Sequence, residues 1–324
     1  MRSVAFVLVT ATISCSPGGY VNDIPDAPSI DPNLAPPAHG FQVVTPNIDI
    51  NPGAEITYCY YFRTPNTSDL AIQRWASHMT EGSHHMILYL TPSDQQPPGT
   101  LSTSLCGISN SSLGPVWTYS AQTANAEVSL PLDDGEHHPV AQYIKAGQPG
   151  FIQMHYLNST DAVIHAHVVL NAYAYDEGVQ FTPAGPFVTF NRRIDLPPGS
   201  PANPTKGMVN GTCDIPTSGG APKFYVMTTH THKQGIHSFV KDGDAMVFET
   251  SSWEHPGARN WNTPPFYTFA SGKITYQCEY VNPNTYRIQT GDSAATEEMC
   301  MAVGYYFPAA DSKGHFCLNS LMVY

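Results

Sequence analysis

The chain has 324 residues, 12% of them charged and 41% hydrophobic, with a formal net charge of −12. That balance excludes a nucleic-acid partner, since it cannot neutralise a phosphate backbone, and no apolar run reaches the roughly 20 residues of a membrane span. The length exceeds what one core usually serves, so two domains of roughly 140 residues each are expected; frequent Tyr, Thr, Val, Phe, Gly and Pro favour short strands and turns.

At the N-terminus, Met1-Arg2 precedes an apolar run from Val4 to Val9, followed by Ala11-Thr12-Ile13-Ser14-Cys15. Residues 1–15 read as a short export signal. Ser14 directly before Cys15 resembles the cleavage box of bacterial lipoproteins. That makes Cys15 a lipidation site and the only link to a membrane, although Thr12 stands where such boxes usually carry Leu. Ordinary cleavage nearby is the alternative, and export to the periplasm, the cell surface or the medium follows either way. Residues 16–40 are rich in Pro, Asp and Gly without an apolar period and read as a flexible tether.

Beyond the tether, strand-like runs recur at short intervals: Phe41–Ile48, Ile56–Phe62, His85–Leu90, Phe151–Leu157, Val163–Ala174, Phe187–Phe190, Phe224–Thr229, Ala245–Thr250, Lys273–Tyr280 and Met301–Phe307. Turn signals separate them, among them Asp134-Gly135, Asp242-Gly243 and Asn282-Pro283-Asn284. Many short strands with frequent turns predict an all-β fold of sandwich or barrel type. The domain boundary is expected within 176–186, giving units over 41–178 and 179–324. Six cysteines remain after Cys15: Cys59, Cys106, Cys213, Cys278, Cys300 and Cys317. An even number in an exported chain reads as three disulfides, with the pairing open, and without a CxxC spacing a zinc knuckle is not expected.

The histidines carry the candidate chemistry. His84-His85 opens the apolar run Met86–Leu90, and adjacent strand residues reach one ion only where the strand begins or bends, which Gly82-Ser83 can supply. His137-His138 lies in an acidic turn and reads as surface loop. His155 shares a strand face with Gln153 and Leu157. His165 and His167 sit on the polar face of an alternating run, a warning that HxH spacing is weak by itself. His230 and His232, in Thr229-His230-Thr231-His232, continue an apolar run; on a strand they project together and can share a metal. Met299, beside Cys300, offers a thioether, a soft ligand that favours Cu(I) and that a zinc site would not need.

Taken together, the segments SHHMILYL, FIQMHYLN, THTHKQG and EEMCMAVGYYFP resemble, in order and separation, those of the copper type II, ascorbate-dependent monooxygenases. This family includes peptidylglycine α-hydroxylating monooxygenase and dopamine β-monooxygenase, and the resemblance covers roughly residues 41–324. It implies two tandem antiparallel β-sandwich domains of jelly-roll type, with one copper on each, facing across a solvent-filled cleft. His84, His85 and His155 would hold the electron-transfer copper; His230, His232 and Met299 would hold the copper at which dioxygen and substrate meet. Implied disulfides are Cys59–Cys106, Cys213–Cys317 and Cys278–Cys300. The activity implied is hydroxylation of a C–H bond with O2, using ascorbate or another small reductant.

The chain departs from the peptide-amidating members where they clamp a substrate carboxylate: Thr228, Met301 and Val303 stand in place of Arg, Asn and Tyr. A glycine-extended peptide is therefore a poor substrate, and a less charged or cationic small molecule is expected. Two other readings compete. One is a non-enzymatic exported copper-binding lipoprotein on the same scaffold. The other is a zinc hydrolase on the three-histidine set, disfavoured by Met299 and by the lack of an HExxH motif.

Overall fold

In the computed structural model, residues 34–103, 106, 115–217 and 220–323 are described, so the export signal, Cys15 and most of the tether lie outside the described residues. Among these, every regular element is a β-strand except one 3₁₀ turn at Ala310–Ser312, so the fold is all-β. No helix of the described part is long and apolar enough to cross a membrane. The end of the tether is held rather than loose: Gln42 Nε2 donates to Leu34 O and Asn171 Nδ2 to Ala35 O, and the first strand already begins at Gly40.

Four main sheets follow one another. The first orders Gly40–Val44, Val168–Ala174, Leu70–Met79, Val140–Ile144 and Thr182–Pro183, with Asn125–Ser129 also paired to Leu70–Met79. The second orders Leu101–Ser102, Glu55–Arg63, Pro149–Leu157, Ser83–Leu90 and Val116–Ala121. The third contains Lys223–His230, Met301–Phe307, Gly185–Phe190 and His315–Leu318, and the fourth contains Thr205–Asp214, Lys273–Asn282, Gly235–Asp242 and Ala245–Thr250. Strand pairing changes hands between Pro183 and Gly185, within the stretch 176–186, where Thr182–Pro183 hooks in parallel onto Val140–Ala141.

Two expected strands are each broken in two. Phe41–Ile48 becomes Gly40–Val44 and Ile48–Ile50, interrupted at Thr45-Pro46, where proline cannot donate to a ladder. Val163–Ala174 breaks at His167, which Thr80 grips from both sides: Thr80 N donates to His167 O (3.1 Å), and His167 N donates to Thr80 Oγ1 (3.0 Å). The two pieces join different sheets.

The second and third sheets are apolar on both faces. Along Met301–Phe307, Ala302 and Tyr306 pack into the core shared with the fourth sheet, while Met301, Val303, Tyr305 and Phe307 join the core of the first half. Pro149–Leu157 is likewise buried along nearly its whole length. Strands covered on both sides lose the polar-out alternation of a half-exposed sheet, which accounts for the unbroken apolar character of MAVGYYF and for the burial of FIQMHYL, Gln153 and His155 included.

Three disulfides form, Cys59–Cys106, Cys213–Cys317 and Cys278–Cys300, and they suit an oxidising compartment. They close chain separations of 47, 104 and 22 residues. In the chain-entropy account, replacing Cys213 and Cys317 by serine is expected to cost roughly 4–5 kcal/mol, against roughly 3 kcal/mol for Cys278 and Cys300. Denaturant midpoints of the two double variants test this order; an equal or reversed order would show that loop length is not what decides their contribution.

Candidate metal centre

The second sheet carries the first histidines. On Pro149–Leu157, Gln153 and His155 project to the face opposite Ile152, Met154 and Tyr156, which fill the core of the first half. His85 lies directly across from His155, and their ring centroids are 5.1 Å apart. The register then jumps from His155↔His85 to Tyr156↔Ser83, so His84 is the inserted residue of a β-bulge. Bulges re-aim side chains next to sites. The bend therefore falls at His84 itself, not only at Gly82-Ser83, and the His84 side chain lies outside the described residues.

The second histidine pair is built differently from the expected continuous strand. Lys223–His230 ends at His230, and His232 sits in the tight turn that leads into Gly235–Asp242. The buried carboxyl group of Glu298 makes this turn, accepting from the backbone N–H of His232 (2.8 Å) and of Gln234 (2.6 Å). At Gly235 a Cβ would fall 2.4 Å from Thr231 Oγ1, so the chain doubles back too closely for any larger residue. The two rings still come together, with centroids 5.2 Å apart. Met299 is 6% exposed, its carbonyl accepts from Tyr280 Oη–H (2.8 Å), and the Cys278–Cys300 bridge anchors the backbone next to it.

The expected solvent-filled cleft between the two sets is not what the structure shows. His85 and His230 come from opposite halves with centroids 5.3 Å apart, and His155 and His232 are 6.4 Å apart. The four imidazoles thus close a ring of neighbours, because the outer faces of the second and third sheets pack directly against each other, with Ile87, Met299, Val303 and Tyr305 in one core cluster. His85, His155, His230 and Met299 line one pocket, together with Trp117 and Asp292 among others. Its free volume is about 20 Å³, room for a water molecule but not for an organic substrate. A larger groove of about 1270 Å³ opens elsewhere between the halves, past Lys145 and Lys313, and none of the candidate ligands lines it.

Each of three histidines has one ring nitrogen fixed as a donor. His232 Nδ1–H donates to Glu297 O (3.1 Å), His230 Nδ1–H to Gln122 Oε1 (3.0 Å), and His155 Nε2–H to the Glu55 carboxylate (2.9 Å). In a neutral ring this sets the lone pair on the other nitrogen: Nε2 of His230 and His232, Nδ1 of His155. Carbonyl and carboxylate partners of this kind orient metal-binding imidazoles. Burial, together with the nearby His155, pushes the His232 imidazole down to about 3, which keeps it neutral. Burial works against ionisation of Glu55, but hydrogen bonds from His155 and Ser293 bring its carboxyl down to about 2. Glu298 goes the other way, since burial outweighs its backbone donors and pushes it up to about 8.

Among the described residues, no group of three or more His, Cys, Asp or Glu side chains stands as a ready metal sphere. Each set offers only two described imidazoles, and the remaining donors are the His84 side chain and the Met299 sulfur. The donor types, neutral imidazole plus thioether, fit copper. The other histidine pairs are engaged elsewhere: exposed His165 pairs with Asp49 at 2.6 Å, and His137 and His138 lie in a loop whose backbone is held by Asp133 and Asp134. Of the substituted clamp positions, Thr228 and Val303 pair directly across strands and line the pocket, whereas Met301 is buried and does not.

Sequence reasoning missed Glu55, Gln122, Asp292 and Glu298. Only Glu298, an acid flanked by Met299 and the disulfide, carries a local signal.

No family model matches the chain, and no curated protein matches it. Among solved structures it resembles PBCV-1 VP54, in a structure fitted into a reconstruction of the virophage Sputnik, with a TM-score of 0.27 and 6% identity over 83% of this chain and 94% of that one. It also resembles the exported protein XepA of PBSX, with a TM-score of 0.20 and 8% identity over 82% and 86% of the two chains. Likenesses this loose carry no argument about function.

Proposed function

We infer that the chain is an exported copper-dependent monooxygenase, similar to the copper type II, ascorbate-dependent family, that hydroxylates a C–H bond of a small organic molecule. The observation carrying this reading is that members of both donor sets, His85 and His155 with His230 and the Met299 thioether, meet at one buried pocket, and that one ring nitrogen of His155, His230 and His232 is tied down. His84, His85 and His155 would hold one copper, and His230, His232 and Met299 the other. Bound copper would supply one-electron chemistry towards dioxygen, with ascorbate or a similar small molecule as the reductant.

The pocket lining also bears on the substrate. It contains no Lys or Arg but includes Asp292, with apolar surface from Ile87, Trp117 and Val303. This suits an uncharged or cationic molecule and not a carboxylate. Cys15 is the proposed lipid attachment, tethering the protein to a membrane.

Reconstitution is expected to give two coppers per chain and ascorbate-dependent oxygen uptake that rises when a substrate is added. One copper per chain, or stoichiometric zinc, overturns the two-copper reading. A second reading, a non-enzymatic exported copper-binding protein, is favoured by the same closeness: four imidazoles 5.1–6.4 Å apart, three of them lining a pocket of about 20 Å³, suit a shared ion better than a substrate. It predicts one metal per chain and no oxygen uptake with any substrate.

A further inference from the structure

Glu55 opens the strand Glu55–Arg63 in the first half, and its carboxylate reaches across to the second. Oε1 accepts from His155 Nε2–H (2.9 Å), from the Ala294 N–H (2.7 Å) and from the Ala295 N–H (3.3 Å), while Oε2 accepts from the Ser293 hydroxyl (2.9 Å). The segment it grips is itself cross-linked: the Glu297 carboxylate accepts from Ser293 N–H (2.9 Å), and Glu297 N–H donates to Ser293 O (2.9 Å). Glu297 O in turn receives Nδ1–H of His232, and Met299 follows two residues later. One carboxylate therefore touches a histidine of the first set and the loop that carries the support of the second.

We propose that Glu55 is a positioning residue, a clasp that holds the two donor sets together in the closed arrangement and must release Ser293–Ala295 for a substrate to enter. This rests on the reading of the two donor sets as metal sites. The closed pocket has room for about one water, so an organic substrate needs the halves to part. Parting at this point breaks the three hydrogen bonds that Ser293, Ala294 and Ala295 give to one side chain, while His155 keeps its own bond to Glu55 and the Ser293–Glu297 cross-links and the Cys278–Cys300 bridge keep the loop's own shape. His230 to Gln122 also ties the halves at the site but reaches no such loop.

Hydrogen exchange on the metal-free full chain tests the clasp independently of copper. Hydrogen bonds to a charged group are strong enough that Glu55→Ala is expected to speed exchange at the Ala294 and Ala295 amides by about 10-fold or more. Strands Pro149–Leu157 and Met301–Phe307 should keep their protection. Glu55→Gln keeps a carbonyl oxygen for His155 and Ala294 and can donate to the Ser293 hydroxyl, so it should restore most of the protection. Ser293→Ala removes one of the bonds to Glu55, together with the two that Thr296 donates to the Ser293 hydroxyl, and keeps the Ala294 and Ala295 bonds to Glu55, so it should give a smaller rise at those two amides, a check that does not depend on Glu55→Ala folding. Unchanged exchange at Ala294 and Ala295, or a rise spread equally over the core strands, overturns the proposal. With Cu(II) in both sites, the magnetic coupling between the coppers is expected to weaken in Glu55→Ala and return in Glu55→Gln. Failure to bind copper with the exchange result intact would remove the metal reading and leave the clasp standing.

Discussion

Met299→Leu is expected to abolish oxygen uptake by the copper-loaded protein, by about 100-fold or more, and to lower the copper content from two per chain to one, while the fold stays intact. The magnitude follows from comparison: losing a partner that merely orients a metal ligand costs roughly 10–100-fold, so losing the ligand belongs at or beyond the upper end. Leucine is the informative substitute because Met299 is also a packing residue, 6% exposed within the apolar cluster that joins the halves. A swap of similar volume costs less than about 1.5 kcal/mol, whereas alanine would leave a cavity worth roughly 2–5 kcal/mol and confuse misfolding with lost ligation. The His84/His85/His155 set should keep its copper in the leucine variant, since Met299 belongs to the other half, just ahead of strand Met301–Phe307. Retained turnover with leucine at 299 would reduce Met299 to a core residue and end the argument that the second set is a copper site.

The all-β class and the histidine segments were legible because their signals are local. Turn residues and β-branched runs mark strands wherever they occur, and the HH and HxH spacings are read within a few residues. What stayed hidden depends on contacts across the chain. Thr205–Asp214 was not recognised as a strand because its outward positions carry Lys206, Met208 and Asn210, and its pairing with Lys273–Asn282 fixes it instead. The break at His167 needs Thr80, 87 residues away. The closeness of the two donor sets was the largest departure: nothing near His85 or His230 announces that the outer faces of two sheets will pack together. The unbroken apolar run at 301–307 is the one sign of it, since a strand facing water on one side would alternate. Glu55 has no local signal, because its partners lie 100 and about 240 residues further along the chain.

Glu298 carries the second large expected effect. Its side chain is fully buried and accepts from the backbone N–H groups of His232, Gln234 and Met299, so it shapes the turn holding one candidate ligand and the approach to another. Glu298→Ala leaves buried donors without an acceptor, at roughly 1–3 kcal/mol for each, and a total loss of about 3–5 kcal/mol is expected because the turn can partly relax towards water. Glu298→Gln keeps one acceptor oxygen but turns an NH2 towards other N–H donors, so a loss of about half that size should follow. Urea unfolding of the metal-free variants measures both. The same substitutions should free His232 from its turn, so copper is expected to leave the His230/His232/Met299 set and remain on the His84/His85/His155 set. The ordering separates this from general damage: an alanine variant within about 1 kcal/mol of the parent would mean that the turn holds without Glu298. A loss of copper from both sets at once would mean that the halves had come apart.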